Sequence, residues 1–491
     1  MARPRSPKAP PRRYSWHRRP EALRPVGGCQ RVTDTCESMV DALTWLGGEG
    51  RDPSTAAERR AEALLKANAG VLRDFQIEAD VRRHAMRPVI ALRTAARVGA
   101  LPLRSPVTGR PDFGLLVEPR FAWSSIGDVL TQTGFRVVPR LLPYPELPQS
   151  DRRIPPWVLS SIVLVRLRRL LDRLARRFTV VEADRPAPKG TVDWPVYATR
   201  RLPAGTPHRV PCRFPDLRND EELRAAVHYV LREHHGSLRA QRAGGLVVYR
   251  LLALCEELLQ RVAGTPPQRP RERQLESWRR SPLPSRIFAE GLQAIHWTLE
   301  ERGLAGLSEL AGLSWQLDME VFFEAWVETL GAEVARRAGA TMRTGRQGQT
   351  RVALDWRPSY LGSQRALIPD VVIQRADATL ILDAKYKAHA EEIRFSGWGS
   401  VEDTIRERHR ADLLQVLAYS TMFDTPRIMA CLVYPCQPDL FQSLRERNQV
   451  LLRAAIPAGS RQVELAIATA PFNTDASETV AALERMFQTS S

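Results

Sequence analysis

Cysteine is scarce in this chain, with 6 among 491 residues, and the six lie far apart. Cys29, Cys36, Cys212, Cys255, Cys431 and Cys436 form no CxxC pair, so a zinc ribbon and a CxxC redox motif are both excluded. Reduced, mostly buried thiols are expected instead. No run approaches the roughly 18 apolar residues that a membrane helix needs. The opening Met1-Ala-Arg-Pro-Arg-Ser-Pro-Lys8 is basic without an apolar core and does not read as a secretory signal. These absences predict a soluble, cytoplasmic protein that makes no contact with a membrane. There is no GxxxxGK[ST] and no internal repeat, so the sequence carries neither a P-loop motor nor a solenoid.

Acidic residues are also in deficit. Asp and Glu number 55 against 72 Lys and Arg, a formal net charge of +17. Arginine supplies most of the excess, and its planar fork suits phosphate oxygens, so DNA is the expected partner. The competing explanation is an arginine-favouring genome. Hydrophobic residues at 43% and charged residues at 26% are ordinary for a globular chain, and the length calls for two or three domains.

Composition divides the chain into a Pro/Arg-rich tail at 1–30, expected to be disordered, and a mixed α/β domain at 31–150 suited to binding a partner. A largely helical middle follows at 151–314, and a C-terminal domain at 315–491. Helices are predicted over Ala56 to Ala69 and over roughly Phe75 to Met86, stopped by Pro88; Gly114 to Pro119 reads as a strand, and Pro143, Pro145 and Pro148 mark a linker. From Pro156 the leucines at 164, 167, 170, 171 and 174 interleave with arginines, an amphipathic helix with a basic face. A solvated surface helix and a DNA-facing one are its two readings. Lys189 to Pro195 reads as a strand-like turn; helices follow from Glu221 to about His234 and from Leu246 to Val262, and two further helical patterns end near Leu313.

The chemistry concentrates between Ile368 and Lys387. Two apolar, β-branched runs, 371–373 and 379–382, flank Gln374-Arg-Ala-Asp-Ala378, which reads as a turn in a hairpin buried on both faces. Side chains alternate along a strand, so Asp383 and Lys385 share one side while Leu382 and Ala384 take the other. Asp370 opens the partner strand, where the antiparallel return brings it beside Asp383. Two carboxylates at the end of apolar strands are costly without compensation, and a divalent cation provides it. Oxygen ligands suit Mg²⁺, with Mn²⁺ as a substitute. Lys385 would then orient water or neutralise a phosphate oxygen. The competing reading is a structural Asp383–Lys385 pair at a strand end.

Two helices flank this hairpin. Upstream, Phe322, Phe323, Trp326, Val327 and Leu330 are the expected core face, while Glu320, Glu324 and Glu328 recur every four residues as an acidic stripe, solvated at Glu320 and Glu328. Downstream, Asp412, Gln415 and Tyr419 share a face, where Gln415 and Tyr419 either steady a phosphate or the lysine or simply bond helix to sheet. Strands near Ile428–Pro435 and Val463–Ala468 would complete the sheet.

Taken in order, Phe322-Phe-Glu324-Ala-Trp-Val, Ile368-Pro-Asp370-Val-Val-Ile, Leu382-Asp-Ala-Lys-Tyr-Lys387 and Asp412-Leu-Leu-Gln-Val-Leu-Ala-Tyr419 resemble McrC, the nuclease subunit of McrBC modification-dependent restriction systems. The match is dense over 315–470 and thinner from about 110 to 260. In the thinner part Gly114 to Phe121 is similar to a McrC strand with Arg120 in place of the usual lysine, and Gly190-Thr-Val-Asp-Trp194 is similar to its Gly-x-Ile-Asp-Trp turn. Residues 36–110 have no counterpart. The resemblance implies an α/β protein with α+β N-terminal parts. It further implies a C-terminal PD-(D/E)xK restriction-endonuclease-like domain, a central mixed sheet flanked by helices. It implies a catalytic set of Asp370, Asp383, Lys385, Glu324 and Gln415, with Asp370, Asp383 and Glu324 holding Mg²⁺. The activity implied is DNA cleavage in an antiphage restriction system, driven by a separate McrB-like AAA+ GTPase. The alternatives are a stand-alone DNA or RNA nuclease and a non-catalytic DNA-binding adaptor of an AAA+ ring.

Overall fold

The computed structural model describes residues 28–48, 51–142, 155, 157–174, 177–218, 220–241, 245–280, 286–299, 314–358, 362, 364–387, 403–458, 461–473 and 475–488. Most of the basic tail, the prolines at 143, 145 and 148, and the end of the pattern near Leu313 lie outside them. The architecture is mixed α/β, with several sheets, mixed and antiparallel. Among the described residues no helix is long and apolar enough to cross a membrane.

The N-terminal region holds two sheets around Pro53–Asp74, a helix capped by the Asp52 carboxylate, with Pro53 in its first turn. Residues 78–84, expected within a helix, are instead a strand antiparallel to Arg87–Arg93. Gln76 at φ 56° breaks away from the preceding helix, and Ala85 and Met86, at φ 47° and 67°, make the tight hairpin turn. Ala79 and Val81 face inward while their neighbours are exposed, the period of a strand.

The second N-terminal sheet runs Cys29–Thr33, Phe113–Glu118, Arg97–Leu103, Trp315–Asp318, Arg140–Leu141. Trp315–Asp318 pairs antiparallel with both Arg97–Leu103 and Arg140–Leu141. The strand that begins the C-terminal third is therefore built into the N-terminal sheet.

Helix Trp157–Arg173 corrects the solvated-surface reading over its first half. Its residues 157–165 are all buried, because Val158 to Val165 carry no charge and pack on every side. Only its second half presents arginines. It packs with Glu221–Ala240, Leu246–Val262 and Arg286–Leu299. Within that bundle His234 is fully enclosed, its ring nitrogens 3.3 Å from Ser160 Oγ and from Thr298 Oγ1. Burial pushes its imidazole from 6.5 down to about 4. The folded chain thus resists a proton that the unfolded chain accepts below about 6.5. Stability is expected to fall by about 3 kcal/mol between pH 6.5 and 4 and then level off. Denaturant titrations across this range should show the wild type losing about 3 kcal/mol more stability than His234→Gln.

The C-terminal sheet runs Thr341–Thr344, Val371–Gln374, Ala378–Ala384, Arg427–Cys436, Arg461–Pro471, Leu451–Ala458. Ala378–Ala384, Arg427–Cys436 and Arg461–Pro471 are parallel at its centre, which explains the long apolar run of Arg427–Cys436, the middle strand of the three. Met319–Ala338 and Ser477–Gln488 pack against each other, and Asp403–Ser420 lies on Arg427–Cys436. A small apolar core that includes Ile381, Val416, Tyr419 and Ile428 joins that last helix to the sheet.

Candidate active site

The hairpin that carries the acidic residues forms as its sequence predicts. Val371 pairs with Leu382, Val372 with Ile381 and Ile373 with Leu380, so Asp370 and Asp383 are the next residues on the two strands. The Ala384 amide donates to Asp370 Oδ2 at 2.7 Å, fixing one carboxylate against the partner strand. Asp383 is 2% exposed. Lys385 Nζ lies 2.7 Å from Asp383 Oδ2, on the side that strand alternation predicts. This ammonium is the close partner of the buried Asp383 Oδ2.

The downstream helix supplies the partners of both lysines. Lys385 Nζ donates to Gln415 Oε1 at 2.9 Å, and Gln415 Nε2 donates to the Tyr419 hydroxyl at 2.8 Å. Lys387 Nζ donates to both oxygens of Asp412, at 2.7 and 2.8 Å. The Tyr434 hydroxyl donates to Asp412 Oδ2 at 3.2 Å. Gln415 thus reaches the lysine directly, while Tyr419 acts on it only through Gln415.

Burial dominates the electrostatics. It pushes Asp370 well above the usual carboxylate range, and the charges of Asp383 and Glu324 add to the rise. Burial also raises Asp383, against the opposing pull of Lys385. At Lys385 burial opposes the charge, but Asp383, Asp412 and Asp370 outweigh it and keep the ammonium above its ordinary value. Glu324, half-buried, is raised by desolvation first, with Arg346 opposing and Glu328, Asp318 and Glu320 adding. It faces Asp370 electrostatically but makes no hydrogen bond among the described residues.

Neighbours in the acidic stripe diverge. Glu320 is exposed, as expected. Glu328 is not solvated: it is 4% exposed, 3.0 Å from Arg346 Nε and 3.6 Å from Arg136 Nη1. A helix buried on most of its surface leaves little room for a third solvated glutamate, and the two arginines compensate its charge.

Sequence reasoning missed the joint behind the lysines. Tyr386, on the opposite side of the chain from Lys385 and Lys387, donates its hydroxyl to Asp34 Oδ2 at 2.6 Å. Asp34 Oδ1 accepts from the Arg120 amide at 2.7 Å, and the Arg120 guanidinium lies 4.7 Å from the Tyr386 ring centroid. Phe121 stacks on Phe472 at 4.5 Å. Strand alternation already sets Tyr386 apart from the lysines, but nothing local marks Asp34, 352 residues away.

Does this set suit a metal ion? A buried carboxylate and a half-buried one beside it, both raised by desolvation, are the oxygen donors a hard divalent cation takes. Among the described residues no three His, Cys, Asp or Glu side chains gather into a ready cage. The hairpin sets Asp370 and Asp383 side by side, and Glu324 acts on Asp370 through its charge.

A family model described as "McrBC 5-methylcytosine restriction system component" matches residues 145–435. A chain in the refined half-complex of the tetradecameric assembly of Thermococcus gammatolerans McrB AAA+ hexamers with bound McrC is 15% identical, with 94% of this chain and 100% of that one covered at a TM-score of 0.40. A chain in the cryo-EM structure of the Thermococcus gammatolerans McrBC complex is also 15% identical, with 64% and 89% covered at 0.25. No curated protein matches. The family model spans more than half of the sequence and includes the Asp370–Lys385 segment, as the ordered motifs implied. The chain belongs to the family of McrBC 5-methylcytosine restriction system components.

Proposed function

We propose that this protein is the Mg²⁺-dependent DNA endonuclease subunit of a McrBC-like antiphage restriction system, with a PD-(D/E)xK-type centre. The observation that supports this is the meeting of Asp370 and Asp383 across one hairpin, with Lys385 on the same edge. Asp370 and Asp383 would hold the cation, and Glu324, whose charge already acts on Asp370, would join them. When bound, Mg²⁺ supplies Lewis acidity for phosphodiester hydrolysis. Lys385 brings a permanently charged ammonium toward the scissile phosphate and offsets negative charge that develops there. Gln415 holds that ammonium in place, and Tyr419 fixes the orientation of the Gln415 amide. The Lys387–Asp412 pair anchors the segment on the helix, leaving Lys385 as the cation directed to the reaction.

The sequence has no Walker motif, and its family is a restriction system, so translocation falls to a separate McrB-like AAA+ GTPase. The test incubates purified protein with methylated plasmid, Mg²⁺ and GTP, with and without that GTPase. Cleavage is expected only with both subunits. A chelator should abolish it, and Mn²⁺ should restore it. Undiminished cutting in EDTA would overturn the metal assignment, and cutting without the GTPase would make the protein a stand-alone nuclease.

A further inference from the structure

A second constellation of charge lies away from the acidic pair. A half-open cavity of about 690 Å³ forms where the N-terminal region meets the helical middle, and Asp370, Asp383 and Lys385 are not part of its lining. Five arginines converge on it from five elements: Arg73, Arg97, Arg140, Arg166 and Arg286. Two acids, Asp74 and Glu290, share the lining, and Glu290 is engaged by Arg286 at 2.8 Å.

The other arginines lack close carboxylates. Arg97 has Asp318 no nearer than 3.9 Å; its Nη1 donates to the Asp74 backbone carbonyl, and its buried Nε makes no hydrogen bond. Arg140 Nε donates to the side-chain oxygen of Gln316 at 2.6 Å, with that amide turned to receive it. Arg166 donates to Gln293 Oε1 at 2.8 Å and lies 4.7 Å above the Trp297 ring. Among the described residues no carboxylate is within ion-pair distance of Arg73, Arg140 or Arg166. Burial presses the Arg166 charge down, with Arg169 and Arg286 adding to it against Glu290. Gathering like charges in a recess is unfavourable unless an anion shares the space.

The lining favours phosphate over a base: among the described residues Leu141 and Leu142 are its apolar members, and none that lines it is aromatic. Its position favours a strand over a small nucleotide. Asp318, beside Arg97, caps the helix Met319–Ala338, and Glu324 follows six residues later. At 1.5 Å per residue that is about 9 Å along the helix, roughly three nucleotide steps of a B-form strand.

We propose that this arginine-lined cavity is a phosphate-binding site that grips the nucleic-acid backbone a few nucleotides from the scissile bond. The proposal rests on the nuclease reading and adds the path of the strand. Such contacts set register without reading sequence.

The test measures binding of a duplex oligonucleotide of about 20 base pairs to the full chain in EDTA, over a range of salt concentrations. An Arg73→Glu/Arg140→Glu variant is expected to bind at least about tenfold more weakly, with a log–log salt slope shallower by about two. Arg73→Gln/Arg140→Gln is the milder companion, and thermal melts check that each variant is folded. Inorganic tripolyphosphate should compete with the duplex on wild type. A folded variant with unchanged affinity and slope would overturn the proposal. So would loss of tripolyphosphate binding with duplex binding intact, which would make the cavity a small-polyphosphate site. Asp383→Asn separates the two readings, since it should lose cutting and keep the wild-type salt slope. Wild type that grips DNA through the cavity yet never cuts would sink the nuclease reading alone.

Discussion

Asp383→Asn is expected to lower Mg²⁺-dependent cleavage by a factor on the order of 10³ or more while leaving the metal-free protein as stable as the wild type, or more so. The two halves of this result have one cause. Asp383 is buried at the end of an apolar strand, and burial holds its folded pKa above 3.8. An acid so raised is harder to ionise folded than unfolded, so it lowers stability as pH climbs from its ordinary range through the raised value. The amide removes that cost along with the ligand. Added Mg²⁺ should raise the melting temperature of the wild type and leave the variant unmoved, because only a ligand bound to the folded state stabilises it. Full cleavage by the variant would refute the site, and a melting temperature several degrees lower would show that Asp383 holds the strand end together.

The second large effect concerns Asp34. Its side chain is 1% exposed and accepts from both the Tyr386 hydroxyl and the Arg120 amide. Asp34→Ala strands two buried donors and should cost about 3 kcal/mol, read from urea titrations. Tyr386→Phe removes one donor and its bond together and should cost about 1 kcal/mol. The double variant should fall short of the sum by about 1 kcal/mol or more, because both changes break the same bond. Tyr386 sits between Lys385 and Lys387, so cleavage should decline in the single variants as well. Strict additivity would mean that the bond contributes nothing.

Local pattern made much of the C-terminal sheet legible. The runs at 371–373 and 379–382 are apolar, β-branched and separated by a turn, and they pair in the register that places Asp370 next to Asp383. The face shared by Gln415 and Tyr419 follows from helical spacing alone, and both side chains lie where that spacing puts them. The failures share a cause too. Residues 75–86 offered helix-compatible side chains, and two positive-φ residues in a tight turn decided for a hairpin. Glu328 looked solvated by its place in a stripe, but Arg346 and Arg136 come from distant segments. Asp34 bonds across 352 residues, and the cavity draws arginines from five elements. Contacts of that range leave no periodic trace.

Trp315–Asp318 is held by hydrogen bonds to Arg97–Leu103 on one side and Arg140–Leu141 on the other, and its last residue caps the helix that carries Glu324. A fragment cut just before residue 315 would open on a strand with both edges bare, and the helix behind it would lose the mooring that sets its starting point. The C-terminal third is thus not a detachable cartridge. Exchange between relatives by recombination would have to carry the front sheet along with it or supply a substitute edge.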